Sequence, residues 1–256
     1  MIIDADVDAA GRWVCTTYHR YFPRVVFNDQ EFKVDCEGLQ LGVRWLDSGH
    51  FLLFDARTGW CAVCDLDGRQ VRQFSVGTDV DEVLVTSRHL TVTYRDDDEG
   101  WEDDPMTSQT ANVFDHAGVH HWGYRDRFGD AIDASPISVI EGADRIALGC
   151  RNAAALARID LATGVRTLID LPEEMRGDSR PTYRGGAYYF AKNPKSQFLG
   201  TFVWSPRREE IGWMTGGGFM ARGARRGLPG GRAITWINEL LWIVTIPRTE
   251  FEHTEA

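Results

Sequence analysis

The sequence predicts an all-β chain built from repeated units of four short strands. Three observations support this fold class. Glycine and tryptophan are frequent, with 26 and nine in 256 residues, whereas long helical patterns are scarce. Short apolar runs alternate with turns that contain Asp, Gly or Ser. One type of hairpin also recurs at a nearly constant spacing, which is typical of a repeat architecture.

The recurring hairpin has the form apolar strand, short polar turn, strand. Its four copies read AVCDLDGRQVRQF from Ala62, NVFDHAGVHHWGY from Asn112, ARIDLATGVRTLI from Ala157 and FVWSPRREEIGWM from Phe202. The matching turn residues are Asp65, Asp115, Asp160 and Ser205, at spacings of 50, 45 and 45 residues. Asp or Ser opens a tight turn, and Gly supplies a positive φ. The period is close to the roughly 40–45 residues of a four-stranded propeller blade.

Further strands complete each unit. Two short apolar runs precede each hairpin, such as GVRWLDSG and HFLLFDAR, and residues 1–37 add strands near IIDADV, RWVCTTY, PRVVF and EFKVD. AITWI and LLWIVTIP form a hairpin around Asn238 and Glu239. We therefore expect one domain over 1–256, a β-propeller of about six four-stranded blades, or five and a partial one. A pair of immunoglobulin-like sandwiches is the alternative, which fits the period less well.

The predicted blades span roughly 1–37, 38–77, 78–129, 130–172, 173–216 and 217–256. Within the fifth, WSPRREEIGW at Trp204 to Trp213 resembles the WSPDG motif of TolB-like propellers, with Arg207 and Arg208 in place of Asp-Gly. Over most of the chain the repeats are similar to the tryptophan-aspartate and TolB-like β-propeller superfamily. This resemblance implies a fold and no catalytic residue, because such propellers carry unrelated functions.

The charge is distributed unevenly along the chain. Of a net charge of −10, residues 1–130 carry 24 acids against 12 bases, and residues 131–256 carry 14 acids against 16 bases. An acidic half repels phosphate backbones, so the sequence argues against nucleic-acid binding and favours a basic protein partner.

Cysteines and termini indicate the compartment. Five cysteines at irregular spacings argue for a reducing environment. No secretory signal and no membrane-spanning stretch are recognisable, so we expect a cytoplasmic protein with no membrane partner. Arginine outnumbers lysine 25 to 3, which favours a bacterial source.

The most unusual segment is a predicted insertion between the second and third strands of the third blade, RDDDEGWEDDPMTSQ at residues 95–109. Seven of its first ten residues are acidic. In a propeller, such loops share a face, here called the top face, with the loops that connect successive blades. Those loops add further acids: Asp79, Asp81, Glu82, Asp126, Asp130, Asp133, Glu173, Glu174 and Asp178.

These acids predict a non-enzymatic protein-binding propeller with no cofactor and no metal. The candidate partner-binding residues are Asp96, Asp97, Asp98, Glu99, Trp101, Glu102, Asp103, Asp104, Asp79, Asp81 and Glu82. Carboxylates steer a basic partner, and an aromatic residue such as Trp101 is a typical interface anchor. The narrower hypothesis is an immunity protein or inhibitor that neutralises a basic toxin such as a nuclease.

Several alternatives are compatible with the same residues. The acidic loop is also typical of a solvated segment or a calcium site. Asp79, Asp130, Asp133 and Asp178 form a second set, a carboxylate ring at the channel mouth that would suit a metal- or carboxylate-dependent hydrolase or lactonase.

Three other patterns are more simply explained by structure than by chemistry. Cys61 and Cys64 lie three apart on a predicted strand, so we expect buried thiols that face opposite sides. His116, His120 and His121 bracket a turn and are expected to be exposed turn residues rather than zinc ligands. The stretch FMARGARRGLPGGR, with Arg222, Arg225, Arg226 and Arg232, is expected to be a flexible connection or to pair with the acids.

Overall fold

A computed structural model of the chain describes residues 1–19, 22–28, 30–34, 41–95, 105–124, 134–150, 155–173, 181–192, 200–208, 210–215, 226–237, 240–247 and 249. These residues form 23 strands. The strands make six antiparallel sheets, in which strands consecutive in the chain are hydrogen-bonded neighbours. Two compact units contain them: unit 1 is Met1–Ala134 with Ile237–Leu240, and unit 2 is Ser135–Trp236 with Leu241–Ala256.

Unit 1 contains three four-stranded sheets. The first comprises β1 (Ile2–Val7), β2 (Trp13–His19), β3 (Phe22–Phe27) and β4 (Gln30–Lys33). The second comprises β5 (Leu41–Trp45), β6 (His50–Asp55), β7 (Trp60–Asp65) and β8 (Gln70–Ser75). The third comprises β9 (Val80–Val85), β10 (His89–Tyr94), β11 (Ala111–Asp115) and β12 (His120–Gly123). The first strands of these sheets are neighbours, because β5 contacts both β1 and β9.

Unit 2 contains two four-stranded sheets and most of a three-stranded one. The fourth sheet comprises β13 (Ala134–Gly142), β14 (Arg145–Cys150), β15 (Ala155–Asp160) and β16 (Arg166–Asp170). The fifth comprises β17 (Thr182–Arg184), β18 (Ala187–Lys192), β19 (Gly200–Ser205) and β20 (Glu210–Thr215). The last comprises β21 (Arg226–Leu228), β22 (Arg232–Ile237) and β23 (Leu240–Thr245). The first strands β17 and β21 are in contact.

The interior strands of the second sheet, β6 (HFLLFD) and β7 (WCAVCD), are buried on both faces, which explains their nearly continuous apolar sequences. In β7, Cys61 and Val63 belong to one buried cluster with Leu52, whereas Ala62 and Cys64 belong to another. Successive side chains of a strand point to opposite faces, so each sheet supplies two separate cores. The prediction that Cys61 and Cys64 are buried thiols on opposite faces is confirmed.

The turn residues of the recurring hairpin behave as the sequence predicts. Asp65 and Asp115 each accept at Oδ1 two hydrogen bonds of 2.8–3.0 Å, from the backbone N–H groups two and four residues later. Asp160 accepts at Oδ1 from the N–H and the hydroxyl three residues later, both at 2.8 Å. Gly68 and Gly118 close the first two turns with φ of 78° and 84°. The repeated Asp is therefore a turn-forming residue with a specific hydrogen-bonding role.

The fold class predicted from the sequence is confirmed: the chain is an all-β propeller of six antiparallel blades. In the part of the chain that the structure describes, the last blade has three strands, as the partial-blade alternative anticipates. Its first strand, β21, lies within the glycine- and arginine-rich stretch that was expected to be a flexible connection. The predicted single domain and its blade boundaries stay predictions. No described segment forms a helix that is long and apolar enough to cross a membrane.

Candidate functional site

Most of the predicted partner-binding residues lie outside the described residues. These are Asp96, Asp97, Asp98, Glu99, Trp101, Glu102, Asp103 and Asp104, hereafter the acidic loop. The structure does describe the residues on both sides of this segment, Arg95 and Pro105, together with Asp79, Asp81 and Glu82. The site can therefore be built up from its base.

Asp79 lies directly beside Arg95, the last described residue before the acidic loop. Its carbonyl oxygen accepts a hydrogen bond of 2.8 Å from the N–H of Arg95, and its own N–H donates to the carbonyl of Arg57 at 3.2 Å. The next residue, Val80, donates to the carbonyl of Ala56 at 2.7 Å. Three segments therefore meet at one end of unit 1: the β6–β7 turn, the connection between the second and third sheets, and Arg95 before the acidic loop. The sequence predicts that these connections share one face.

The backbone of Asp79 is unusual, because it has a φ of 55° in a residue other than glycine. Asp is among the residues that adopt this left-handed conformation most readily. The side chain is exposed. The conformation lets Asp79 bond through its backbone to Arg57 and Arg95 while its carboxylate faces solvent.

A largely buried hydrogen-bond network holds the described residues on both flanks of the acidic loop. The hydroxyl of Tyr94 donates to the carbonyl of Val76. The side-chain amide of Asn112 donates to the hydroxyl of Tyr94 at 3.0 Å and to the carbonyl of Met106 at 2.7 Å. His120 Nε2 lies 3.0 Å from the amide oxygen of Asn112. These residues, with Asp79 and Arg95, form the loop base.

The structure corrects the assignment of Glu82 to a partner-facing surface. Glu82 is only 2% exposed, and its carboxylate accepts hydrogen bonds from the guanidinium of Arg44. Asp81, the preceding residue on β9, is half-buried. Alternation along a strand places neighbouring side chains on opposite faces, so Glu82 points into the protein. A solvent-borne partner therefore cannot contact Glu82.

Arg44 lies at the centre of a buried ion cluster that joins the first strands of three sheets. Its guanidinium pairs with Asp4 on β1 and with Glu82 on β9, and its Nε also donates to the carbonyl of Val83 at 2.8 Å. Asp4 and Asp6 additionally accept from the backbone N–H groups of Val43 and Trp45, at 3.0 and 2.8 Å. Together these contacts, called the Arg44 cluster, tie β1, β5 and β9 together.

Electrostatics keep Arg44 charged. Burial alone would lower the pKa of its guanidinium, but the carboxylates of Asp4, Glu82 and Asp6 outweigh burial and hold that pKa above its ordinary value. Three carboxylates thus act on one cation in the interior of unit 1. The Arg44 cluster therefore joins β1, β5 and β9 through ion pairs and hydrogen bonds in the interior of unit 1.

Unit 2 contains a different buried cluster, here called the Glu141 cluster. Glu141 on β13 accepts hydrogen bonds from Arg158 Nε at 2.8 and 3.0 Å and from the hydroxyl of Tyr188 on β18. The Glu141 side chain is fully buried, whereas that of Arg158 is 30% exposed. Burial raises the pKa of the Glu141 carboxyl, although Arg158 and Tyr188 oppose that shift. Burial beside Glu141 likewise raises the pKa of Tyr188.

The other predicted sites have structural partners where they are described. His116 Nε2 lies 3.0 Å from the carbonyl of Thr86, and His121 Nε2 lies 3.8 Å from Asp115. Burial raises the pKa of Cys61, and raises that of Cys64 to about 11, with a contribution from Asp65. Within the described ranges, His, Cys, Asp and Glu side chains form no group of three or more that could hold a metal ion.

The remaining predicted residues are mostly outside the described ranges. Those not described are Asp126, Asp130, Asp133, Glu174, Asp178, Arg222 and Arg225. The proposed carboxylate ring is therefore represented by Asp79 alone among the described residues. Glu173 is exposed, Arg226 is buried on β21, and Arg232 Nε donates to the carbonyl of Pro229 at 3.2 Å.

Sequence reasoning missed Arg44 and Glu141, the centres of the two buried clusters. Both were visible as charged residues inside apolar runs, in LGVRWL and ISVIEG. A charge within a fully buried strand is retained only with a partner. That rule could have identified the two residues, but their partners come from strands about 17 to 47 positions away in the chain.

Comparison with solved structures places the chain among propeller proteins. It matches virginiamycin B lyase from Staphylococcus aureus with a TM-score of 0.57 and 10% identity, over 97% of this chain and 85% of that one. It matches a streptogramin B lyase structure with a TM-score of 0.59 and 10% identity, over 98% and 84%. A nidogen/laminin complex matches with a TM-score of 0.55 and 10% identity, over 84% and 80%. No protein-family model and no curated protein matches the chain.

These matches confirm the propeller fold and correct one prediction. The chain was predicted to be non-enzymatic, yet the propellers that it resembles include lyases. Lack of a recognisable catalytic motif in a propeller is therefore no ground for excluding an enzyme. At 10% identity the likeness shows the fold and transfers no catalytic residue to this chain.

Proposed function

We propose that this chain binds a basic protein through the end of unit 1 that carries Asp79 and the acidic loop. The observation that carries this proposal is the loop base. Asp79 O bonds to Arg95 N, and Tyr94 and Asn112 bond to Val76 and Met106, so both flanks of the acidic loop are held beside an exposed carboxylate.

The charge of the chain supports the choice of partner. Residues 1–130 have twice as many acids as bases. A surface of one sign raises the association rate of a partner of opposite sign, over a range of about 8–10 Å at physiological salt. Seven of the ten residues from Arg95 to Asp104 are acidic, so the acids of the chain are most concentrated in the segment that follows the loop-base residue Arg95.

The fixed flanks of the acidic loop also favour binding. Ordering an interface costs free energy, and a recognition segment that is anchored at both ends has less conformational freedom to lose on binding. Trp101 adds an aromatic side chain of the type that dominates interface energetics. The nidogen/laminin structure is a case in which a protein with this fold appears in a protein complex.

Neutralisation of a basic toxin is the narrower form of this proposal. An acidic surface that mimics phosphate charge can cover a basic active site. A cytoplasmic location and a bacterial source are proposed with it on the sequence arguments given above. This narrower form makes its own prediction: the captured partner has an activity that the purified chain inhibits at a 1:1 ratio.

Affinity capture with two matched variants tests the proposal. The loop variant carries Asp96→Asn, Asp97→Asn and Asp98→Asn. The control variant carries Glu31→Gln, Asp67→Asn and Asp170→Asn, three exposed acids that belong neither to the acidic loop nor to the loop base. Both variants change the net charge by the same amount, so only the position of the charge differs.

We expect the wild type and the control to retain the same basic protein from a lysate of the source organism, and the loop variant to lose it. Retention of this protein by the wild type and by both variants alike would contradict the assignment of the site. Failure of the wild type to retain any basic protein at low salt would contradict the proposed function itself.

A further inference from the structure

We propose that Gly123, together with the loop-base residue Asn112, positions the segment that follows the acidic loop and thereby slows dissociation of the basic partner. This inference rests on the proposed function and adds the residues that position its binding segment. The segment comprises residues 105–110 and is called the loop flank. Asn112 on β11 and Gly123 on β12 are paired with each other across the two strands.

This pair departs from the pattern of the recurring hairpin. Asn112 is the first residue of its hairpin, and the equivalent residues of the other three copies are apolar: Ala62, Ala157 and Phe202. The residues paired with those three across the strands all carry a side chain: Gln73, Leu168 and Trp213. Among the four recurring hairpins, a polar residue opposite a glycine therefore occurs in the one that follows the acidic loop.

Gly123 provides room for the side chain of Gln109 in the loop flank. A Cβ atom at position 123 would lie 2.6 Å from Cδ and Oε1 of Gln109 and 2.7 Å from its Cγ, closer than Cβ atoms approach other atoms in proteins. Gln109 thus packs directly against the backbone of β12. A glycine inside a strand often marks such a close approach of another segment.

Asn112 holds another part of the loop flank. Its side-chain amide donates to the carbonyl of Met106 at 2.7 Å, and the same carbonyl accepts the N–H of Gln109 at 3.2 Å. The hydroxyl of Ser108 donates to the carbonyl of Pro105 at 2.8 Å. An apolar residue in place of Asn112, as in the other three hairpins, has no donor for Met106.

The loop flank is polar in sequence but largely buried. Thr107, Gln109 and Thr110 are 6%, 7% and 8% exposed. Burial of polar side chains costs free energy unless they form hydrogen bonds, so a segment that serves solubility alone gains nothing from this arrangement. A segment with a fixed flank has less conformational freedom to lose when a partner binds. The buried flank therefore favours a role in binding.

Asn112 and Gly123 carry no charge, so their effect on binding differs from that of the acids. Carboxylates steer the partner and set the salt dependence of its association rate. A loosened loop flank leaves these charges in place and raises the dissociation rate, through which most affinity differences between related complexes arise. A faster dissociation at unchanged salt dependence of association is thus the signature of a positioning residue.

Binding kinetics test the role of the pair, with the purified basic protein that the wild type retains as the probe. Gly123→Ala displaces Gln109, and Asn112→Ala removes the donor to Met106. We expect each to raise the dissociation rate about threefold to tenfold. Gly142→Ala is the matched control and is expected to bind like the wild type, because an added Cβ there meets its nearest atom at 3.7 Å. In a Gln109→Ala background, Gly123→Ala should have no further effect.

Hydrogen–deuterium exchange on the free chain tests the contact without a partner. We expect the amides of residues 106–110 to exchange faster in Gly123→Ala and Asn112→Ala than in the wild type and Gly142→Ala, while the amides of β7 stay unchanged. Gly123→Ala displaces only the end of a flexible side chain, so it keeps the test valid if Asn112→Ala does not fold.

The two measurements separate the ways in which the proposal can fail. Unchanged exchange of residues 106–110 in Gly123→Ala would show that Gly123 does not hold the loop flank. Faster exchange with an unchanged dissociation rate would overturn the role in binding. Capture of no basic protein by the wild type would overturn the proposed function and this role with it, whereas the exchange data would still decide whether Asn112 and Gly123 hold the loop flank.

Discussion

The buried clusters of the two units are arranged in opposite ways. In unit 1 a guanidinium, Arg44, is buried and acidic side chains come to it from neighbouring strands. In unit 2 a carboxylate, Glu141, is fully buried, and its partners are a tyrosine hydroxyl and an arginine that is 30% exposed. The first arrangement has excess negative charge, whereas the second pairs one carboxylate with one cation.

This difference parallels the surface charge of the two halves. Residues 1–130 combine the Arg44 cluster with a large excess of acids, and residues 131–256 are nearly balanced. In unit 1 the acids fall into two classes: Asp4 and Glu82 are buried and serve the fold, whereas Asp79 is exposed and free of that role. Sequence alone cannot separate the two classes, because Asp79 and Glu82 are only three positions apart.

Removing the centre of the Arg44 cluster is the largest change. Arg44→Met leaves the carboxylates of Asp4 and Glu82 buried without their cation, and we expect it to lower the free energy of unfolding by about 3–5 kcal/mol. Urea unfolding followed by circular dichroism measures the loss. The double variant Arg44→Met, Glu82→Gln should lose less free energy of unfolding than Arg44→Met alone, because one of the unpaired carboxylates is then neutral. A loss below about 1 kcal/mol would show that the cluster does not hold the three first strands together.

Removing one donor from the Glu141 cluster has a smaller effect. Tyr188→Phe deletes the hydroxyl that donates to the buried Glu141, and we expect the free energy of unfolding to fall by about 1–3 kcal/mol. Tyr183→Phe is the matched control, since the ring of Tyr183 lies 5.0 Å from that of Tyr188 but is not a donor to Glu141 in the described hydrogen bonds. Equal losses in the two variants would show that the cost comes from losing a tyrosine hydroxyl in general and not from the hydrogen bond to Glu141.

The pH dependence of stability distinguishes the units further. Because burial raises the pKa of Glu141 above 4.5, the folded chain keeps a proton there that the unfolded chain has released. Stability contributed by this group therefore falls as pH rises from 4.5 through the raised pKa. Glu141→Gln should flatten this part of the profile in urea unfolding, whereas the Arg44 cluster is untouched. A profile identical to that of the wild type would refute the shift.

The smallest expected effect concerns the turns, which should behave alike in both units. Asp65→Ala and Asp160→Ala each remove two hydrogen bonds at a hairpin turn, and we expect each to cost about 1 kcal/mol of stability. Asp67→Ala, an exposed change within the Asp65 turn, serves as the control. Thermal unfolding is precise enough to rank the three variants, and a cost that differs strongly between the two units would break the equivalence of the repeats.

The sequence was most informative where local chemistry decides the structure. The Asp turns, the period and the opposite faces of Cys61 and Cys64 all depend on residues close in the chain, and all were predicted. Glu82 was misassigned because its burial depends on Arg44, 38 positions away. Among the described residues the last sheet has three strands, and the sequence left open whether this blade is full or partial.

The candidate site, too, was predictable only where it depends on residues that are close in the chain. The acidic composition of the segment from Asp96 to Asp104 is visible in the sequence, and so is its place between the second and third strands of a blade. The loop base is not, because it depends on contacts of Tyr94 and Asn112 with the backbone of other segments. The lyase matches show how little a propeller pattern by itself says about catalysis.

The association rate of the captured basic protein, measured against salt concentration, tests the central claim most directly. For the wild type and the control variant (Glu31→Gln, Asp67→Asn, Asp170→Asn) we expect the same steep fall with rising salt. For the loop variant (Asp96→Asn, Asp97→Asn, Asp98→Asn) we expect a slower rate at low salt and a flatter dependence, because the steering charge is lost. Identical rates and slopes for the two variants would contradict the assignment of binding to this end of unit 1.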